Sequence, residues 1–469
     1  MPQPPLCVIV AVGLSPRHLH DPSMASVTPT LRDMARTGGV APLATVGPAV
    51  TLASQATMLT GEPPSIHGVV GNGWHFRETD EIRFWQQSRR LISGPLLYET
   101  ARARCREANT SFNAAKLFGW FNQGADVEWS ITPKPWYGAD GSKEFDIHGK
   151  PEDYVNHCRR LAGRFPFHAF WGPMAGAAST QWIARVAAET LIRQRPAFTL
   201  VYLPHLDYDL QRFGPHGPHT LDALEVLDNA VAQVAHAAGL RGSRVVVLSE
   251  YGIVEVRRSV ALNRELRKAG LLAVRNGPFG ELIDVPECQA VAVADHQVAH
   301  VSVRDPARTD DVAAMLRDLD GVGSVLVGDE RASFGVDHPR AGEVVVLAEP
   351  DAWFSYEYWL QRRYAPDFAP TVDIHRKPGF DPQEMFFNPR LRWPKLRAAL
   401  RVLRKKCGMR YLMDVIPVDQ PGLVHGSHGL PASNPDDGAV VLTNSPDLAG
   451  NLPKAMTDVH DWLLRAMVD

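Results

Sequence analysis

Thr51 opens the segment Thr51-Leu-Ala-Ser-Gln-Ala-Thr-Met-Leu-Thr60, Gly61 stops it, and His67-Gly-Val-Val-Gly-Asn72 follows. The spacing predicts a helix over 51–60 with Thr51 near its N-cap. A hydroxyl in that place sits among unpaired backbone N–H groups at the positive end of the helix dipole, where a phosphate binds well. An ordinary capped core helix is the other reading these residues allow. Further along, His205, Asp207 and Asp209 alternate just beyond an apolar run, and Ser249, Glu250 and Tyr251 follow another. If the chain stays extended at 205–209, all three side chains point the same way and could ligate one ion. His296 and His300 in Asp295-His-Gln-Val-Ala-His300, and His425 beside His428, are further candidate ligands, though 18 histidines make chance clusters common. A polar loop, Asp373-Ile-His375-Arg376-Lys377-Pro-Gly-Phe-Asp381, offers an anion site in which Arg376 is a bidentate fork and Lys377 a point charge. A surface turn held by salt links is the competing reading there.

The elements that must position these groups are legible as apolar runs. Leu6-Cys-Val-Ile-Val-Ala-Val12 is continuous, rich in β-branched residues and closed by Gly13, the pattern of a strand buried on both faces of a parallel sheet. Phe198–Leu203 and Arg244–Leu248 have the same form, and Leu221 to Ala237 between them is apolar at helical spacing, so the order is strand, helix, strand. Open α/β sheets bind ligands beyond the carboxyl ends of their strands, where His205, Asp207, Glu250 and Tyr251 lie. The expected architecture is one compound α/β domain over 1–469, with a largely parallel central sheet flanked by helices on both faces. Segments 73–170 and 340–415 lack a clean period and read as insertions.

Composition narrows the function. The chain has 469 residues, 45% hydrophobic and 22% charged, with a formal charge of −3, which argues against a nucleic-acid polymer as partner. The 5 cysteines form no CxxC pair, which speaks against a disulfide scaffold and fits a reducing cytoplasm. The run Leu6 to Leu14 is too short to span a membrane, and no membrane association is expected. Arg401-Val-Leu-Arg-Lys-Lys406 is basic without interleaved aromatics and reads as a solvated helix face. Oligomeric state is left open.

Several of these motifs together resemble the nucleotide pyrophosphatase/phosphodiesterase (type I phosphodiesterase) branch of the alkaline-phosphatase superfamily. Thr51 falls on the second Thr of that family's Pro-Thr-x-Thr helix start and Asn72 on the Asn of its His-Gly-Ile-Val-x-Asn. Trp171-Gly-Pro173, the stretch from Leu200 to Asp207 with Arg212-Phe-Gly-Pro215, Ser249-Glu-Tyr-Gly252 and His425-Gly-Ser-His428-Gly429 follow in family order. The resemblance implies an alkaline-phosphatase-like core capped by the insertions. It also implies a threonine nucleophile, a phospho-enzyme, and two zinc ions held by aspartates and histidines. Carried over one by one, the ligand positions are altered: Val12 stands for the first Asp, Gln211 for a His, Glu250 and Tyr251 for an Asp-His pair. Asp207 and His428 are kept.

The expected function is therefore hydrolysis of a small phosphodiester, pyrophosphate or phosphate ester, with Thr51 as nucleophile and Asn72 stabilising the oxyanion. One divalent ion, zinc or manganese, would replace two, held by Asp207, Glu250 and His428 with Gln211, His205, Asp209, His296, His300 or His425 as extra ligands. His375, Arg376, Lys377 and Tyr251 would bind substrate. The alternatives are a catalytically impaired protein that binds a phosphate-containing ligand or partner, and metal-independent chemistry with His428 or His296 as base and Tyr251 as donor.

Overall fold

The computed structural model describes residues 3–139 and 142–468. Leu6–Ala11 is a strand with every residue buried, flanked in parallel by Phe198–Leu203 and Arg244–Leu248, as the apolar runs predict. These lie in the middle of an 8-stranded sheet. On one side follow Ala439–Thr443, antiparallel to Arg244–Leu248, and then Val40–Leu43, antiparallel to Ala439–Thr443. On the other come Ala114–Leu117, Trp129–Tyr137 and the antiparallel Lys143–Lys150. The Ala177–Arg193 and Thr220–Gly239 helices bury Ile183, Val186, Ala187, Leu224, Leu227 and Val231 in the core cluster around this sheet.

Segment 73–170 differs from its expected role, because it contributes three of the strands just named to the main sheet. Ala114–Leu117 is only 4 residues long, and Trp129–Tyr137 contains Pro133 and Pro135. Short length and proline hide a strand, since proline cannot donate to a ladder. Segment 340–415 contains Val344–Ala348, which joins a second, 4-stranded sheet with Ala290–Asp295, Val298–Val303 and Val322–Val327. That sheet builds a separate apolar core including Leu266, Val301, Val346 and Phe354.

Two turns bring the sheets to one place. Gly13 closes the first strand with φ +81, and a Cβ there would lie 3.3 Å from the Asp207 Cα, so a side chain would push the Asp207 backbone away. His296 turns the corner between Ala290–Asp295 and Val298–Val303 with φ 60, left-handed backbone that a histidine adopts at a cost. Its ring is thereby carried over the carboxyl ends of the main-sheet strands, against His428.

Candidate active site

The helix over Thr51–Thr60 ends at Gly61 in the left-handed conformation. Val50 is its N-cap and offers no side-chain cap; Thr51 is the first helical residue. The cap comes from elsewhere: Asn72 Oδ1 accepts from the Leu52 N–H at 3.0 Å. Relieved of capping, the Thr51 hydroxyl is free to meet the Tyr251 hydroxyl at 3.0 Å. Asn72 is itself held by Asp295, whose carboxylate accepts from its backbone N–H at 2.7 Å and from its Nδ2 at 3.0 Å. Asp295 also meets His296 Nδ1 at 2.8 Å.

Asp207 lies across from Tyr251, in the first turn of the helix His205–Phe213. The extended course expected for 205–209 is thus overturned, because the residues after Pro204 run at helical period and successive side chains diverge by about 100°. His205 points into the core, bonding the Thr180 hydroxyl at 3.1 Å and the Ala223 carbonyl at 2.9 Å. Asp209 pairs with Arg212 at 3.2 Å. Four residues on from Asp207, Gln211 faces it and donates from Nε2 at 2.8 Å, acting as a donor rather than a carbonyl ligand.

The other candidates separate in the same way. His300 is fully engaged, meeting the Val70 carbonyl at 2.8 Å and accepting from the Gly342 N–H at 3.4 Å. His425 is exposed. Lys377 is buried between Asp381 at 2.7 Å and Glu384 at 2.8 Å, and exposed Arg376 pairs with Asp373 at 2.7 Å. His375 is exposed beside it. The loop therefore spends its cations on its own carboxylates, and the expected anion site at 375–377 is not formed. Glu250 Oε1 accepts from Gln55 Nε2 at 2.5 Å, while its Oε2 is buried without a hydrogen-bond partner. Gln55, whose carbonyl also accepts from the Trp120 N–H at 2.8 Å, was not singled out in the sequence; a lone amide one turn after Thr51 was its signal.

The residues do not fit the two ions that the resemblance implies. Val12 has no donor atom, and among the described residues no three His, Cys, Asp or Glu side chains could hold a metal ion together. Of the three expected ligands of a single ion, Asp207 and His428 adjoin, but with Glu250 they form no such group. Asp207 Oδ1 is buried without a hydrogen-bond partner and lies 3.9 Å from His428 Nε2. His428 is fixed by its Nδ1, which donates to the Ala49 carbonyl at 2.8 Å and leaves Nε2 an acceptor.

Rings fill the space instead. Tyr251 stacks on His428 with centroids 3.6 Å apart, His428 packs on His296 at 3.7 Å, and His296 stacks on Phe380 at 3.7 Å. Burial sets the charges of this column. It pushes His428 and His296 well below the usual histidine value, so both are neutral near pH 7. The same desolvation, with the nearby Asp207 charge adding to it, holds Glu250 well above the carboxylate range. Asp207 is raised by burial to about 7, with the Gln211 amide and the Tyr251 hydroxyl limiting the rise. Asp207 therefore changes charge near neutrality, where a general base works best.

A family model for type I phosphodiesterase / nucleotide pyrophosphatase matches residues 6–381. Solved structures share the fold. Phosphonoacetate hydrolase from Sinorhizobium meliloti 1021 is similar in its complexes with phosphonoformate (TM-score 0.63, 15% identity, covering 99% of this chain and 96% of that chain) and with phosphonoacetate (TM-score 0.62, 16% identity, 99% and 96%). An inactive form of murine ectonucleotide pyrophosphatase / phosphodiesterase 5 in complex with AMP is similar at TM-score 0.56 and 12% identity, covering 99% of this chain and 95% of that chain. At these identities the likeness is one of fold, an alkaline-phosphatase-like α/β core with a mostly parallel sheet flanked by helices.

Proposed function

Because the chain belongs to the type I phosphodiesterase / nucleotide pyrophosphatase family, a family of phosphoester hydrolases, we propose that it cleaves a small phosphodiester, pyrophosphate or phosphate ester through Thr51, activated by Tyr251 and Asp207 in place of metal ions. The observation that carries this reading is the contact between the Thr51 and Tyr251 hydroxyls at 3.0 Å, with the unpartnered Asp207 Oδ1 beyond it. In the reaction Thr51 Oγ1 forms the new bond to phosphorus and its proton passes to Tyr251, whose own proton passes to Asp207. The leaving oxygen departs from phosphorus and takes a proton from solvent; water then attacks the phosphothreonine and releases its proton to solvent, while the proton held on Asp207 returns through Tyr251 to Thr51 Oγ1 as the phosphorus–oxygen bond breaks. Asn72 acts here by fixing the helix start through Leu52, so that the dipole and the remaining N–H groups face the developing charge.

An acid-quenched reaction is expected to leave the phosphoryl adduct on the peptide containing Thr51, detectable by its mass. Exhaustive chelation is expected to change the rate by less than about twofold, since no step uses a bound ion. Abolition by chelator with recovery on adding zinc or manganese would defeat the relay and return the chemistry to Asp207, Glu250 and His428 as ligands. A second reading, a phosphate-ester binder without turnover, is favoured by one observation: Thr51 is only 4% exposed, beneath a packed column of rings. Saturable binding of a substrate analogue with no product and no adduct would establish that reading instead.

A further inference from the structure

Helices on the surface of globular proteins turn their apolar stripe toward the core. The helix Pro394–Lys406 does the reverse. None of its residues is buried, and Leu396, Leu400 and Leu403, which share one face by their spacing, are 57%, 53% and 56% exposed. The positions that are partly covered lie on the opposite side, at Arg397, Ala398, Arg401 and Lys405. Arg397 and Arg401 both bind Asp414, and Lys405 Nζ donates to the Lys143 carbonyl at 2.9 Å. The helix is thus held by its polar side and offers its leucines to the surroundings.

Two neighbouring features extend that face. Trp393, just before the helix, is 65% exposed. Tyr137, at the end of a main-sheet strand, is 62% exposed and pairs with Lys143, the residue Lys405 reaches. Charge identifies the occupant. Between Glu384 and Asp414 the chain has nine lysines and arginines and no acidic residue, in a protein of net charge −3. Leucines ringed by cations and interfacial aromatics match a surface that is anionic outside and apolar just beneath.

We propose that the Pro394–Lys406 helix, with Trp393 and Tyr137 beside it, lies in the interface of an anionic lipid bilayer. The protein would rest on the membrane without crossing it; among the described residues no helix is long and apolar enough to cross. A second copy of the chain is a poorer occupant, because a symmetric contact would set these cations against their own image. Nucleic acid would satisfy the cations and leave the leucines in water. The absence of membrane association expected from overall composition is revised accordingly: the near-neutral total conceals one concentrated basic, apolar face.

The test is sedimentation of the full chain with vesicles of equal parts phosphatidylglycerol and phosphatidylcholine, against phosphatidylcholine alone, in about 0.1 M salt. Binding to the anionic vesicles is expected to be at least about tenfold tighter, with a blue shift of tryptophan emission. The double substitution Leu400→Glu, Leu403→Glu is expected to abolish binding, and because both residues are exposed it should leave thermal unfolding unchanged. Failure to sediment with anionic vesicles overturns the proposal. So does binding that survives the double substitution, which would be charge attraction alone. Self-association lost in that variant, without lipid binding, would assign the face to a second copy, and tighter binding to RNA or DNA than to vesicles would assign it to nucleic acid; either also overturns it.

Discussion

Replacing Thr51 by alanine is expected to lower turnover by about 10⁴-fold or more, whichever phosphoester proves to be the substrate, with little change in the affinity for a phosphate-containing ligand. The affinity survives because the site's other anion-binding parts do not depend on the hydroxyl: Asn72 still caps the helix at Leu52 N, and Asp295 still holds Asn72. The loss falls on the chemical step because no neighbouring group can take over attack on phosphorus. Tyr251, the group nearest the hydroxyl, is pushed well above its usual range by burial and by the charges of Asp207 and Glu250, so its phenolate is inaccessible near pH 7. Thr51→Ser keeps the oxygen and should retain measurable turnover and the covalent adduct. The measurement is kcat and KM for the three proteins alongside a binding isotherm; undiminished turnover in Thr51→Ala would remove the nucleophile from the account.

The second large effect separates activity from stability. Asp207→Asn is expected to reduce turnover by about 10³-fold, as loss of a positioned base does, and to make the protein more stable at alkaline pH. The sign follows from linkage. The folded-state value of Asp207 is raised from 3.8 to about 7, so the folded protein holds this proton more tightly than the unfolded chain. The stability associated with that proton is fully present below pH 4 and is lost as pH rises through about 7. At pH 8 the wild type carries an ionised buried carboxylate, at a cost on the order of 2–4 kcal/mol, which a neutral amide avoids. The new amide can still accept from Gln211 and can donate toward His428 Nε2, an acceptor. Unfolding in urea at pH 5 and pH 8 checks this. The variant's advantage over the wild type should be clearly larger at pH 8 than at pH 5, and a variant less stable at pH 8 would refute the assignment.

How far this arrangement was legible depends on which physical level specifies each part. Leu6–Ala11, Phe198–Leu203, Arg244–Leu248 and the Thr51–Thr60 helix announce themselves because runs of buried β-branched residues and a glycine stop are local properties. The meeting of Thr51 with Tyr251, 200 residues apart in sequence, was readable only as two positions in a family order, and the direct hydroxyl contact was not. His300 and Lys377 carry the right chemistry for a site, yet each is consumed by a partner that only the fold supplies: the Val70 carbonyl, and Asp381 with Glu384. The extended chain expected at 205–209 failed because alternation over three residues cannot distinguish a strand end from the first turn of a helix. The basic run at 401–406 reads locally as a solvated helix face, but which side of a helix meets the protein is a tertiary property, and here Arg401 and Lys405 are on the side that does.

The column of Tyr251, His428, His296 and Phe380 draws one ring from each of four stretches of chain that are remote in sequence: the end of a main-sheet strand, the C-terminal loop, the corner of the second sheet and the second insertion. It behaves as a rivet through two plates. Any sliding of the second sheet over the first must shear this stack, and the ring at its inner end, Tyr251, is the one whose hydroxyl meets Thr51. The seating of the second sheet on the core and the placement of Tyr251 against Thr51 are thereby mechanically linked, so that a change at Phe380 is expected to be felt at the site without touching a residue that performs the chemistry.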